Sequence, residues 1–498
     1  MFSPSLEEAK NISKNEEYRR IPISYELFSD IATPIEVLRI LKGISKHCYM
    51  LESIEDAEKW GRYSFLGFNP VLEFTCQDGV VRIRGDESYE RLSDDEIVLK
   101  TDNPSEIIKD LIKLNKSPKL DYLPPFTGGF VGYFAYDYIK YAEPSLNLDA
   151  ENQDQFKDID LMLFDKVIAF DNFKQKIILI SNIKTDNLQS NYEKACDELK
   201  ELADLIKNGK RADIKPLKLK SDFKPVFSKV KYCDMVEKAK NYIKEGDIFQ
   251  VVLSNRIEAE ISGSLFDTYR VLRTTNPSPY MFYFSSDDIE IAGASPETLV
   301  KLTDKKLYTF PLAGTRPRGK TEEEDLQLEE ELLGDEKELA EHNMLVDLGR
   351  NDIGRISEIG SVHVDKYLSI ERFSHVMHIG STVTGTLRNG LDSLAAIDSI
   401  LPAGTLSGAP KIRACEIINE LEDNKRGIYG GAIGYVDLSG NIDTCISIRI
   451  AFARNGKVFI RSGAGIVADS VPDNEFDECL NKAAAVINAL KMADGGLE

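Results

Sequence analysis

Two hydrophobic periodicities alternate along the chain. Apolar residues recur at strand spacing over Val71–Thr75, Val80–Arg84 and Lys166–Phe170, and at helical spacing over Pro104–Leu114. Further on, Tyr232, Met235, Val236, Ala239, Tyr242 and Ile243 follow a helix that Gly246 ends. Ile248–Ile257 predicts a strand, Leu265–Thr274 a helix and Tyr280–Phe284 a strand. A long acidic helix is expected from Glu322, its charge run a solvated face. Strands follow over Ile428–Asp437, Ile442–Ala453 and Val458–Gly463, with turns at Leu438-Ser439-Gly440 and Asn455-Gly456. The last helix begins near Pro472, whose missing N–H suits a first turn, and presents Phe476, Leu480, Ala483, Ala484, Ile487 and Leu490 as an apolar stripe. Pro124–Asp137 is a Gly-aromatic segment suited to close backbone packing. Asn208–Lys229 is rich in Lys and Pro with little periodicity and reads as a linker. The expected division is an N-terminal domain over 1–207, a linker over 208–229 and a second domain over 230–498. Hairpins interleaved with helices predict an α+β fold of antiparallel sheets packed under helices.

Composition narrows the class. A 498-residue chain with 42% hydrophobic and 29% charged residues can bury a large core. Its formal net charge of −21 opposes nucleic acid and anionic lipid as partners, and an anionic substrate needs local positive charge. The first residues, MFSPSLEEAKNISK, have no apolar stretch of a signal peptide, and no run approaches the ~20 apolar residues of a membrane span. Seven scattered cysteines without a C-x-x-C pair suit the reduced thiols of a cytoplasm.

Three patterns carry candidate chemistry. Glu338-x-x-Glu341 and Glu475-x-x-Glu478 each put two carboxylates on one helix face, the second with Lys482 on the same side. Each pair alone reads as a solvated face; together they offer the oxygen ligands that magnesium prefers. The Gly-rich segments Pro311–Gly319, Leu401–Lys411 and Arg461–Ser470 are either tight turns or places where main-chain N–H groups approach an anion. Leu401–Lys411 fails the P-loop pattern, because Ala409-Pro410 precede Lys411 and Ile412 follows it. His375 and His378 fall on opposite faces of a strand-like run, so they are not a metal pair; one of them is either an acid or base or a partly buried core residue. No Cys lies in a G-x-C-x-G elbow, so a built-in glutaminase is not expected.

PLAGTRPRG, EHNMLVDLGRNDIGR, SHVMHIGSTVTGTL, LPAGTLSGAPKIRACEII, IYGGAIGYVDLSGNIDTCISIR and SGAGIVADSVPDNEFDE, in this order, resemble the chorismate-utilising enzymes over about Val230–Leu490. The N-terminal half, with YMLESIED (Tyr49–Asp56), resembles the regulatory half of the anthranilate synthase large subunits. Two positions divide the family. Aminodeoxychorismate synthases usually carry a lysine where this chain has Ala313, and isochorismate and salicylate synthases a lysine base where it has Gln250. The resemblance then implies ammonia as nucleophile and anthranilate plus pyruvate as products, the first step of tryptophan biosynthesis. An aminodeoxychorismate synthase large subunit and a non-catalytic chorismate- or amino-acid-binding regulator stay open as alternatives.

The same resemblance implies the roles. Glu341 and Glu478 would bind Mg2+, with Glu338 and Glu475 acting through water. Glu297 in GASPETLV would be the general acid at the leaving hydroxyl of ring carbon 4, and His378 would assist pyruvate elimination. Tyr429 and Arg449 would bind the enolpyruvyl carboxylate. Gly314, Thr315, Gly463, Ala464 and Gly465 would line the ring pocket, with Thr405 and Lys482 beside them. A tryptophan effector would lie between Leu51-Glu52-Ser53 and Pro279-Tyr280-Met281, near Cys445. Ammonia would come from a separate glutamine amidotransferase subunit, in a heterodimer or heterotetramer, in the cytoplasm.

Overall fold

The structure, a computed structural model, describes residues 2–53, 61–85, 96–372 and 376–497. His375 and residues 54–60 lie outside them. The architecture is α+β: two large antiparallel sheets stack face to face, with helices over their outer surfaces. Strand Tyr280–Ser285 shows why its sequence is apolar throughout. Met281 and Tyr283 enter the core under the helices, while Phe282 and Phe284 enter the core between the sheets. A strand covered on both faces has no polar alternation left to show.

Both halves of the chain build both sheets. In the first sheet Cys48–Glu52 pairs antiparallel with Tyr280–Ser285, Met281 opposite Glu52. In the second, Gly129–Phe134 pairs with Ala432–Asp437. Gly132 of the first of these strands has φ +153°, and a Cβ there would stand 2.0 Å from the Asp160 carbonyl oxygen on its other neighbour, Ile159–Phe164, so close strand approach requires glycine. The expected linker is not a free tether. Its Lys218–Leu219 and Lys224–Pro225 pair along the strand Gln250–Ser262, strapping it to the sheet edge. The division at 208–229 therefore marks the chain and not the sheets, because strands from either side of it share hydrogen bonds.

Three further elements differ from expectation. The acidic helix is two, Glu322–Leu333 and Glu336–Gly354, broken at Gly334, with Asp335 capping the N–H groups of Lys337 and Glu338. The last helix, Pro472–Met492, buries Cys479 and Val486 with Phe476, Ala483 and Leu490, so its stripe is turned slightly from the expected one. The single strand expected over Ile442–Ala453 is two: Ile442–Ile446 lies in the second sheet and Ile450–Arg454 in the first. The chain crosses between sheets at Ser447–Arg449, and Arg449 takes φ +51° there. Beside it, strand Glu290–Ser295 of the first sheet continues as Thr298–Thr303 of the second, crossing at Pro296-Glu297. The Ile446 N–H donates to the Glu297 carbonyl at 2.9 Å, tying the two crossings together. The acid and the arginine singled out from sequence stand at this pair of crossings.

Candidate active site

A cavity of about 840 Å³ opens at the crossings. Glu297, Thr405, Tyr429, Arg449, Gly463 and Gly465 line it, and Glu341, Glu475, Glu478 and Lys482 face them. A second cavity of about 770 Å³ shares Arg449, Glu478 and Lys482 with the first, and adds His378 and Thr315.

Glu297 is held by the turn Gly404–Leu406: Thr405 Oγ1 donates to Glu297 Oε1 at 3.2 Å. Burial pushes its carboxyl up to about 7, against the opposing pull of Thr405, Arg449 and Lys482. It therefore still holds a proton near neutrality. Arg449 shows no ion pair within bonding distance among the described residues, and its guanidinium is available to an anion in either cavity.

His378, on strand Val376–Thr386, donates from Nδ1 to the Gly314 carbonyl at 2.8 Å, with Thr315 Oγ1 3.1 Å from the same nitrogen. That assignment of the Nδ1 proton leaves the lone pair on Nε2. Burial lowers its pKa, so the ring is neutral. Gly314 has φ +66°, and a Cβ there would approach Ile379, Leu332 and the Glu338 carboxylate. The glycine thus shapes the turn that holds the histidine.

Glu341 faces Glu475 and Glu478 across the first cavity, which Glu338 does not line. Burial raises the pKa of Glu341, and Glu338 and Glu478 add to the rise. Glu475 is raised by burial and by Glu478. Among the described residues no group of three or more His, Cys, Asp or Glu is gathered tightly enough to hold an ion by protein ligands alone. Glu478 Oε1 instead pairs with Lys482 at 2.7 Å. The donor set still suits magnesium, which keeps several waters and needs only one or two carboxylates beside substrate oxygens. Glu338 stands behind Glu341 and pairs with Arg316 at 3.5 Å.

Some expected residues take other places. Ala464 is fully buried in the core under the helices; only its glycine neighbours reach the cavity. Glu52 is 6% exposed, and its carboxylate is taken up by Arg273 Nε and Tyr269 Oη, both at 2.6 Å, so it is not a direct effector contact. Tyr280 bonds Asp443 at 2.8 Å and Thr298 at 3.0 Å, on the side away from Met281. The Ser53 hydroxyl, by contrast, is buried without a hydrogen-bond partner among the described residues. Lys411 bonds Asp352 and the Ile400 carbonyl, both at 2.9 Å, and works as a structural tie, not as an anion ligand. Sequence reasoning missed Lys337 and Asn474, both cavity-lining. Each lies four residues before an expected magnesium ligand, and that i,i+4 spacing was the available signal.

The chorismate binding enzyme family profile matches residues 46–488. Anthranilate synthase component 1 of Acetivibrio thermocellus is 46% identical over 99% of both chains. The Aquifex aeolicus protein of the same name is 44% identical over 99% of both. The crystal structure of anthranilate synthase component I from Streptococcus pneumoniae superposes with a TM-score of 0.73 at 39% identity, covering 92% of this chain and 98% of that one. The menaquinone-specific isochorismate synthase of Escherichia coli shares the fold at a TM-score of 0.69 and 19% identity, covering 97% and 98%. The chain belongs to the chorismate binding enzyme family, among the anthranilate synthase component 1 proteins.

Proposed function

We propose that this chain converts chorismate and ammonia to anthranilate, pyruvate and water, opening tryptophan biosynthesis in the cytoplasm. The observation that carries the reading is Gln250, which lines the cavity where family members that add water carry a lysine base. An amide cannot take a proton from water, whereas ammonia is a nucleophile without a base. Ala313, 9% exposed, likewise offers no nucleophile.

The chemistry follows from the site. Arg449, with its planar fork, and Tyr429 hold the enolpyruvyl carboxylate. Ammonia forms a bond to ring carbon 2 as the hydroxyl on ring carbon 4 leaves. Glu297 gives that hydroxyl its proton, so water departs. The new ring ammonium returns a proton to Glu297. His378 then accepts the proton of ring carbon 2 on Nε2 while the C–O bond to the enolpyruvyl group breaks. The departing enolpyruvate takes a proton back from His378 on its methylene carbon to leave as pyruvate, with an aromatic ring behind. Glu341 and Glu478 would hold Mg2+, with Glu338 and Glu475 behind them; the ion, when bound, supplies Lewis-acid polarisation of the ring carboxylate. Glutamine is served by a separate amidotransferase subunit.

The test is incubation of the pure chain with chorismate, magnesium and ammonium, then with glutamine in place of ammonium. Anthranilate is expected in the first case and not the second, and chelation by EDTA should stop it. Turnover of glutamine by the pure chain, or a product that retains the enolpyruvyl group, overturns the assignment.

A further inference from the structure

Beneath the first cavity lies a charged cluster that none of these roles uses. Glu422 on helix Lys411–Glu422, Arg426 four residues on, and Arg461 on strand Lys457–Ile466 are each about 2% exposed. Glu422 accepts from Arg426 at 2.6 and 2.9 Å, from Arg461 at 2.7 Å and from the Ser254 N–H at 2.7 Å. Arg426 donates its other N–H groups to the carbonyls of Leu406, at 2.6 Å, and Val252, at 2.7 Å. Both residues wall the cavity, as does Arg461 itself.

Two guanidiniums thus share one carboxylate. Burial opposes the Glu422 charge, but Arg426 and Arg461 outweigh it and hold the carboxyl below its ordinary range. Burial brings Arg461 down to about 10, still protonated at neutral pH. The next cation, Arg256, has its own partners in Asp154 at 2.9 Å and Glu258 at 3.6 Å. The cluster therefore carries one positive charge that no described acid balances, in a place where salt screens it much less than at the surface. A pure framework does not need that third charge, since buried ion groups are often replaceable by neutral ones at no loss of stability.

We propose that the Glu422–Arg426–Arg461 cluster is a permanent positive charge under the substrate cavity, which draws an anionic substrate into a protein of net charge −21 while fixing the Leu406 and Val252 walls. The proposal rests on the reading that the dianion chorismate is the substrate. Steady-state kinetics with chorismate and ammonium separate the two: a wild-type chain without turnover refutes the function, before any variant is compared. Arg461→Gln brings the cluster to zero charge. Arg461→Lys and the double variant Glu422→Gln/Arg461→Gln keep it at plus one, the second without the ion pair. KM for chorismate should rise about tenfold in Arg461→Gln, with kcat changed far less, and stay near wild type in both charge-keeping variants. Should Arg461→Gln fail to fold, the triple variant Glu422→Gln/Arg426→Gln/Arg461→Gln serves as the neutral reference. A KM that rises equally in the charge-keeping variants, or that is unchanged in the neutral one, overturns the proposal.

Discussion

Glu297 shows how much of this site is decided by one carboxyl and its surroundings. Its pKa, pushed up to about 7 by burial, makes it a proton donor at neutral pH and a poor one above it. The value of kcat/KM should therefore fall as pH rises past about 7. Glu297→Gln should lose about a hundredfold or more in kcat, and the remaining activity should lack that limb. The same shift has a cost in stability. Between the ordinary carboxyl range and about 7 the folded chain binds a proton that the unfolded chain has released, so stability falls as pH rises through that window. The full difference is at most roughly 3 kcal/mol, reduced by the solvent that reaches the cavity. Glu297→Gln should accordingly gain more in Tm at pH 8 than at pH 5. Equal shifts in thermal melts at the two pH values would show that the carboxyl is not desolvated as described.

Among the elements, some helices were legible in the sequence because their ends are written in side chains, whereas the break at Gly334 and the helix Leu188–Asn208 went unread. Pro104 at a first turn and Gly246 in the left-handed conformation after Glu245 mark their bounds directly. The crossing at Ser447–Arg449 was not legible, since the apolar run continues through it with no Gly or Pro to mark the change of sheet. The same reason hid the geometry of the site: Glu297 and Arg449 were recognisable as residues, but their adjacency comes from two neighbouring crossings. The effector segments were only partly readable, because strand alternation puts Glu52 and Met281 on one face and Tyr280 on the other, and pattern alone did not show that Arg273 already occupies Glu52. Arg449 itself keeps a left-handed backbone that costs an L-residue about 1 kcal/mol or more, and its side chain is partly desolvated. Arg449→Gly relieves both, offset in part by the added freedom of the unfolded chain. Its Tm should therefore be unchanged or higher while chorismate turnover is lost. A fall of more than about 4 °C would mean that Arg449 holds the crossing together and is not a strained functional group.

At the scale of the whole molecule, the seam between the two halves is where regulation by a ligand has mechanical purchase. Strands Cys48–Glu52 and Tyr280–Ser285 are neighbours in one sheet, and residues 276–278, just before the second strand, wall the cavity that holds His378. A ligand seated where these strands end contacts both halves and the approach to the active site at once. Ser53 supplies the reason to expect one: its buried hydroxyl has no partner among the described residues, and an unmet buried hydroxyl costs about 1–3 kcal/mol until something bonds it. An amino-acid ammonium is a donor of the right kind, and Pro279 with Met281 offers apolar surface to an indole. Such a ligand inhibits if it prefers the less active arrangement of the seam, and linkage then requires that chorismate weaken its binding by the same factor. Tryptophan is thus expected to inhibit the wild-type chain and to bind more weakly in the presence of chorismate. Ser53→Phe should keep ammonia-dependent activity within a few-fold, since Ser53 lines neither cavity, and should lose tryptophan inhibition because the ring removes the hydroxyl and fills its place. Titration calorimetry with tryptophan decides it: no heat with the wild type, or the same affinity in Ser53→Phe, would place the effector site elsewhere or nowhere on this chain.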